Sequence, residues 1–287
     1  ATGHEPLHAL RQRAAAASQH QATAPWREGG APAPFVVIME GTRVGSTWLT
    51  SILNSHPELK CAEELFWGNP QMENAAAIKR ETEVLNGLNK GHGFKLGLVQ
   101  LRAPLKAAQI IEKRGIRVIF LRRRNAVKAT LSAFRAAALS QQKHAGLGVN
   151  SWHARGDDKV AAAIQKVKTT VDVTATEHGL RERVKLSCRT VKFVQSLRTD
   201  VLDVFYEDLM EKLEVALFRM MRFLGVHQVP LEQLHLKSTA KMSSENLLVS
   251  WKGIGKLKNA LAAMTWPAKV FAAMVDSDNV QYDGACA

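Results

Sequence analysis

The segment Gly41-Thr42-Arg43-Val44-Gly45-Ser46-Thr47 concentrates groups that can hold an anion. Arg43 offers a planar cationic fork, Ser46 and Thr47 offer hydroxyl donors, and Gly45 lets the backbone turn tightly. The apolar run Phe35–Met39 precedes the segment, and Trp48, Leu49, Ile52 and Leu53 follow it at helical spacing, which makes it a strand-to-helix turn. The free N–H groups of Gly45, Ser46 and Thr47 at the helix start would then point at one spot, where the helix dipole favours negative charge. That is a phosphate cradle in chemical terms. It is not a Walker A loop, because Gly41 and Gly45 are one residue too close and no Lys precedes Ser46. A strand–helix turn with no ligand is the competing reading, and Arg43 weighs against it.

A second candidate anion site follows the β-branched, apolar run Ile116–Leu121. There Arg122-Arg123-Arg124-Asn125 ends a strand, and Ser132 follows Arg124 by eight residues. Three consecutive arginines at a strand's carboxyl end are costly unless an anion sits there. On a helix starting near Asn125, Ser132 lies about two turns on, so Arg124 and Ser132 could grip one group together. The competing reading is a solvated basic turn. Lys95 lies in another apolar run, Phe94–Val99, where a Lys is uncommon unless it reaches a ligand or snorkels.

These residues resemble the superfamily of sulfotransferases that use 3'-phosphoadenosine-5'-phosphosulfate (PAPS). Arg43-Val44-Gly45-Ser46-Thr47 is similar to its 5'-phosphosulfate loop, in which tyrosylprotein and some bacterial carbohydrate sulfotransferases carry Arg and cytosolic members usually carry Lys. Arg124 with Ser132 is similar to its 3'-phosphate motif. The resemblance implies that Lys95 contacts the bridging oxygen of the cofactor and that Trp48 stacks on adenine. The string from His56-Pro57 to Cys61-Ala62-Glu63-Glu64 resembles a tyrosylprotein sulfotransferase segment, which implies that Glu64 is the catalytic base. Cytosolic members place a His just after the strand lysine. Here Leu96 and Gly97 stand there, leaving His92 as the fallback base. Tyr206-Glu207-Asp208-Leu209 recurs across the superfamily, and its Tyr either touches the nucleotide or packs. Trp251-Lys252-Gly253 faintly resembles a segment that folds over the 3'-phosphate, which adds Lys252 and Gly253 as binding candidates.

The elements that must position these groups alternate strand and helix from Phe35 onward. Helices are expected near Trp48–Leu53, over Pro104–Arg114 with Gly115 as stop, from Asn125 to Gln142, from Asp157 to about Gly179, and after the strand Val201–Tyr206 through Phe223. The alternation argues for an α/β fold, a P-loop-like parallel sheet with helices on both faces, with ligands at the carboxyl ends of the strands. Residues 1–34 read as an extension with a short helix around Leu7–Ser18 and a Pro/Gly linker, and 35–287 as one domain. Lys143–Gly156 reads as a loop.

Composition limits the partners. With 46% hydrophobic residues the chain can build a real core, and its net charge of +13 favours anionic ligands. Cys61, Cys188 and Cys286 are widely spaced, which argues against a disulfide framework, though not against one bridge, and no Cys/His cluster suggests a metal. No apolar run approaches the ~20 residues a membrane span needs. The expectation is PAPS as donor, adenosine 3',5'-bisphosphate as product and no metal. The acceptor is a small-molecule hydroxyl or amine first, a glycan or peptidyl tyrosine second, with no nucleic-acid partner. The expected compartment is the cytoplasm, or the Golgi lumen if an N-terminal anchor has been removed. A P-loop-type nucleotide kinase and a non-enzymatic polyanion-binding protein are the rival readings.

Overall fold

The computed structural model describes residues 32–66, 74–142, 169–230, 232, 234, 251–252, 254–263, 271 and 274. The expected helix at Leu7–Ser18, the loop Lys143–Gly156, residues 157–168 of the helix expected from Asp157 to about Gly179, and the candidate Gly253 lie outside these residues. In chain order the elements are β1 (Phe35–Met39), α1 (Ser46–Ser55), β2 (Lys60–Ala62), α2 (Asn74–Asn86), β3 (His92–Gly97), α3 (Pro104–Lys113), β4 (Arg117–Arg122) and α4 (Ala126–Gln142). They continue as β5 (Thr169–Thr170), α5 (Val173–Ser196), β6 (Val201–Phe205), α6 (Tyr206–Glu211), α7 (Leu213–Leu224), β7 (Trp251–Lys252) and α8 (Ile254–Ala263).

Five strands form one parallel sheet in the order β2-β3-β1-β4-β6. Every residue of β1 is buried, as a central parallel strand covered on both faces requires. Its side chains alternate between two cores. Phe35, Val37 and Met39 pack with Leu49, Ile52 and Leu53 of α1 and with Leu217, Met220 and Leu224 of α7. Val36 and Ile38 pack with Leu85 of α2, Ile111 of α3 and Val194 of α5 on the other face. Burying each such aliphatic side chain contributes about 1.5–3 kcal/mol. A third cluster joins Val127 and Leu131 of α4 to Leu180 of α5 and to Leu257 and Leu261 of α8.

Met39 lies beside Gly97 of β3 and Leu121 of β4, and Arg122 beside Phe205 of β6. The loops leaving β1, β3, β4 and β6 therefore open at one edge of the sheet. Three elements depart from the sequence reading. β3 stops at Gly97 and a single 3-10 turn, Leu98–Gln100, follows, because the Gly97 N–H donates to the Gln100 side chain at 3.0 Å. α5 starts at Val173, where Asp172 accepts from the Ala175 N–H at 2.9 Å, and it runs through Gly179 to Ser196. Gly179 is a helix-crossing point there, since a Cβ on it would sit 3.0 Å from the Thr130 methyl on α4. The helix after β6 is two helices, broken at Lys212. Cys188 is disulfide-bonded, while Cys61 is a free buried thiol.

Candidate active site

The turn after β1 has a backbone shaped for its task. Gly45 is the N-cap of α1 with φ 85°, and no side chain caps the helix start. The first N–H groups of α1 therefore keep their capacity to bind an anion. Arg43 has φ 60°, the one described non-glycine residue in the left-handed region, a backbone state that costs free energy and collects at functional sites. A Cβ on Gly45 would lie 2.4 Å from Cδ2 of Tyr206, so the tyrosine ring lies directly against the turn. Tyr206 also meets Trp48 edge to face, with ring centroids 6.3 Å apart, and carries the Arg123 guanidinium 4.5 Å above its ring. Val44 is fully buried in the first core.

Arg43 reaches across to α4, where its Nε donates to the buried Ser132 Oγ at 3.0 Å. The loop and the second candidate site are thus joined by a direct hydrogen bond. Arg124 turns the other way and makes a two-pronged pair with Asp208, at 2.8 and 2.9 Å. That pair raises its pKa above the usual arginine value, chiefly through the Asp208 hydrogen bond. The structure brings Ser132 to Arg43 and not to Arg124. Arg123 donates from Nη1 to the Arg43 carbonyl at 3.0 Å. Its Nε is buried, has no hydrogen-bond partner among the described residues and lies 4.0 Å from Glu207. Burial, followed by the Arg123 charge, lowers the Arg43 pKa below the ordinary arginine value.

Three residues that were not among the site candidates organise this edge. Glu40, just after β1, accepts from Arg122 Nε and Nη2 at 3.2 Å, from the Arg123 N–H at 3.3 Å and from Ser187 at 2.7 Å. Glu207 accepts the Arg124 and Asn125 N–H groups at 3.0 and 3.2 Å, which ties the start of α4 to α6. Arg183 of α5 donates to the Thr42 carbonyl at 2.8 Å and to Thr130 Oγ1 at 3.2 Å. Glu207 was legible as part of the Tyr-Glu-Asp string. Arg183 left no signal, since a helix arginine reads as an ordinary surface charge.

Lys95 of β3 and Glu64, two residues past the end of β2, form a second cluster. Lys95 lies beside Val37 of β1 and is 2% exposed, so its ammonium must be paired. It pairs with Glu63, and Glu64 Oε1 lies 3.8 Å from its Nζ. Gln100 donates to Glu64 Oε2, and this glutamine is in turn fixed by the Gly97 N–H. Glu64 keeps 30% of its side chain exposed, so it is held in place yet reachable. His92 opens β3 at the amino end, opposite Lys60. It lies three residues, about 10 Å of strand, behind Lys95. Trp251 and Lys252 form β7, which pairs with β5. Burial pushes the Cys61 thiol up to about 12, which leaves it protonated and poorly nucleophilic.

Among the described residues, no group of three or more His, Cys, Asp or Glu side chains could hold a metal ion, and no helix is long and apolar enough to cross a membrane. Around the turn stand the Arg43, Arg123 and Arg183 guanidinium groups, the Ser132 and Thr130 hydroxyls and the N–H groups of α1, with Glu40 and Glu207 fixing the neighbouring backbone, and the buried Nε of Arg123 has no hydrogen bond among the described residues. Such a set fits an oxyanion-bearing ligand.

No protein-family model matches the chain, and no curated protein matches its sequence. Solved structures similar to it include a sulfotransferase domain from the curacin biosynthetic pathway, at 15% identity over 86% of this chain and 99% of that chain, with a TM-score of 0.41. Another is the sulfotransferase domain of the Synechococcus PCC 7002 olefin synthase, at 15% identity over 88% of this chain and 99% of that chain, with a TM-score of 0.40. Mouse sulfotransferase SULT7A1 complexed with PAP is similar at 14% identity over 94% of this chain and 90% of that chain, with a TM-score of 0.45.

Proposed function

We propose that the protein is a sulfotransferase that takes a sulfuryl group from PAPS and delivers it to a hydroxyl or amine of a small-molecule acceptor. The observation that carries this reading is the Arg43–Thr47 turn, with its strained Arg43, uncapped helix start and direct bond to Ser132. The loop N–H groups of Gly45, Ser46 and Thr47 and the Arg43 fork hold the 5'-phosphosulfate. Ser132 serves the 3'-phosphate, with Arg124 as its partner by resemblance; Trp48 and Tyr206 beside the turn meet the nucleotide, and Lys252 and Gly253 are assigned to it by resemblance alone. Bound there, PAPS supplies a sulfuryl group whose bond to the phosphate oxygen breaks as a bond to the acceptor forms, leaving adenosine 3',5'-bisphosphate.

The chain's own residues do the rest. Arg43 and Lys95 place fixed positive charge where negative charge grows, without reorganising at the moment of reaction. Glu64 takes the proton of the acceptor hydroxyl or amine. Gln100 and Lys95 hold its carboxylate in one orientation. Glu64 is preferred to His92 because it shares a cluster with Lys95, while His92 sits at the other end of β3. Positive charge from arginine and lysine suffices for this chemistry, as it does in phosphoryl transfer, where catalysis is positioning plus electrostatics.

The test is transfer of labelled sulfuryl from PAPS to a panel of phenols, alcohols, amines, sugars and tyrosine peptides. With an acceptor in hand, Glu64→Gln is expected to lower kcat by about 10²–10⁴, the usual worth of a general base. Affinity for adenosine 3',5'-bisphosphate should stay within about twofold, since Glu64 lies outside the Arg43 turn. Undiminished kcat in Glu64→Gln removes Glu64 from the base role. No transfer to any acceptor class counts against the whole reading.

A further inference from the structure

The arginines at this edge of the sheet divide by partner. Arg122 is held by Glu40 at 3.2 Å and Asp203 at 3.9 Å, and Arg124 by Asp208 at 2.8 Å. These are arginines whose charge the protein neutralises itself. Arg43 and Arg183 differ. Among the described residues Arg43 donates to a hydroxyl, Ser132 Oγ. Arg183 donates to the Thr42 carbonyl and to the Thr130 and Thr42 hydroxyls, all neutral acceptors. The two guanidinium groups lie along one stretch of α4, bonded to Ser132 and Thr130. Arg123 stands beside them, with its Nη1 on the Arg43 carbonyl and its Nε buried without a hydrogen bond.

Three guanidinium groups gathered around one turn repel one another. Burial first, then the Arg123 and Arg43 charges, push the Arg183 pKa down to about 10, with Glu40 acting the other way. Arg183 therefore stays protonated at neutral pH and bears a cost for it. That cost falls when a dianion enters the cluster. The carbonyls of Thr42 and Arg43 are both taken by guanidinium donors, from Arg183 and Arg123. Two negative dipole ends of the turn are thereby occupied by donors. Among the described residues neither Arg43 nor Arg183 forms an ion pair with a carboxylate such as Arg124 forms with Asp208.

We propose that Arg183 is a further binding residue of the Arg43 site, contributing from α5 a third cation to the phosphate or sulfate group of the donor nucleotide. This inference rests on the sulfotransferase reading. It adds a residue from outside the two motifs, on an element that neither motif touches. Arg183 acts directly on the oxyanion and also holds Thr42, the residue before Arg43.

Calorimetric titration of adenosine 3',5'-bisphosphate into the full chain tests this, comparing wild type with Arg183→Met and Arg183→Lys at one ionic strength. A lost charge-assisted contact should weaken Kd about tenfold or more in Arg183→Met. Arg183→Lys keeps the charge without the fork and should fall between, about threefold weaker than wild type. Arg183→Met within twofold of wild type overturns the proposal. So does Arg183→Lys as weak as Arg183→Met, because Arg183 would then act only through the shape of the Thr42 turn. Circular dichroism without nucleotide checks folding, and if Arg183→Met is unfolded, Arg183→Lys alone decides, an unchanged Kd overturning the proposal. Wild type that fails to bind the nucleotide overturns the sulfotransferase reading and this inference with it, whereas tight wild-type binding beside an unaffected Arg183→Met sinks the inference alone.

Discussion

Arg43→Ala is expected to lower turnover by about 10²–10³, the cost of removing one preorganised charge-stabilising donor, while the protein stays folded. Among the described residues the side chain makes one hydrogen bond, to Ser132, worth about 1 kcal/mol net. In a chain of this size that shifts Tm by about 2–4 °C. Ala at φ 60° is strained, but so is Arg, and the substitution relieves the repulsion between Arg43 and Arg123. Activity should therefore fall far more than stability. Sulfuryl transfer and thermal unfolding, measured on the same preparation, separate the two. Turnover near the wild-type level would remove Arg43 from the site and take the phosphosulfate-loop assignment with it.

Gly45→Ala acts through the fold and should damage stability and nucleotide binding together. The new Cβ would fall 2.4 Å from Cδ2 and 3.0 Å from Cε2 of Tyr206. The ring cannot easily yield, because Trp48 meets its edge and Arg123 lies over its face. Overpacking of this kind costs about 1–3 kcal/mol, and a left-handed backbone with a Cβ costs roughly 1–2 kcal/mol more. The expected result is a clear fall in Tm together with loss of nucleotide binding, since the N–H groups of the helix start move with the turn. Tyr206→Ala removes the clash but not the backbone cost, so Gly45→Ala should cost less stability in the Tyr206→Ala background than in wild type. A single variant that unfolds at the wild-type temperature would mean that Tyr206 does not rest on the turn.

The sheet was legible because a parallel sheet buried on both faces demands apolar strands. Phe35–Met39 and the strand ending at Arg122 declare themselves by composition alone. The short edge strand Lys60–Ala62 did not, since only its central Cys61 is buried. The helix Asn74–Asn86 buries only Glu81 and Leu85, too few for a visible stripe. Its buried Glu81 caps α3 by accepting the Arg102 and Ala103 N–H groups at 2.7 and 3.3 Å, a role that sequence spacing does not encode. Gly179 was misleading for a related reason, because a glycine that lets two helices cross closely looks the same in sequence as one that ends a helix.

At the site, residues within one strand–turn–helix unit were legible because local spacing fixes their geometry. Arg43 to Thr47 is the clearest case. Partnerships between units were not. The choice of Asp208 by Arg124, of Ser132 by Arg43 and of Thr42 by Arg183 depends on how α4, α5 and α6 meet around the strand ends. That packing is set by contacts over 80 residues apart in the chain, which motif spacing cannot carry.

Thermal unfolding with and without adenosine 3',5'-bisphosphate, using adenosine 2',5'-bisphosphate and ATP with Mg²⁺ as controls, tests the central claim most directly. At 100 times Kd a ligand of the native state stabilises it by about 2.7 kcal/mol. A clear rise in Tm for the 3',5' isomer alone is the predicted result. No shift, or an equal shift for the 2',5' isomer, would contradict it and return the basic cluster to a site for polyanions of no fixed kind, and protection by ATP with Mg²⁺ alone would point to a kinase.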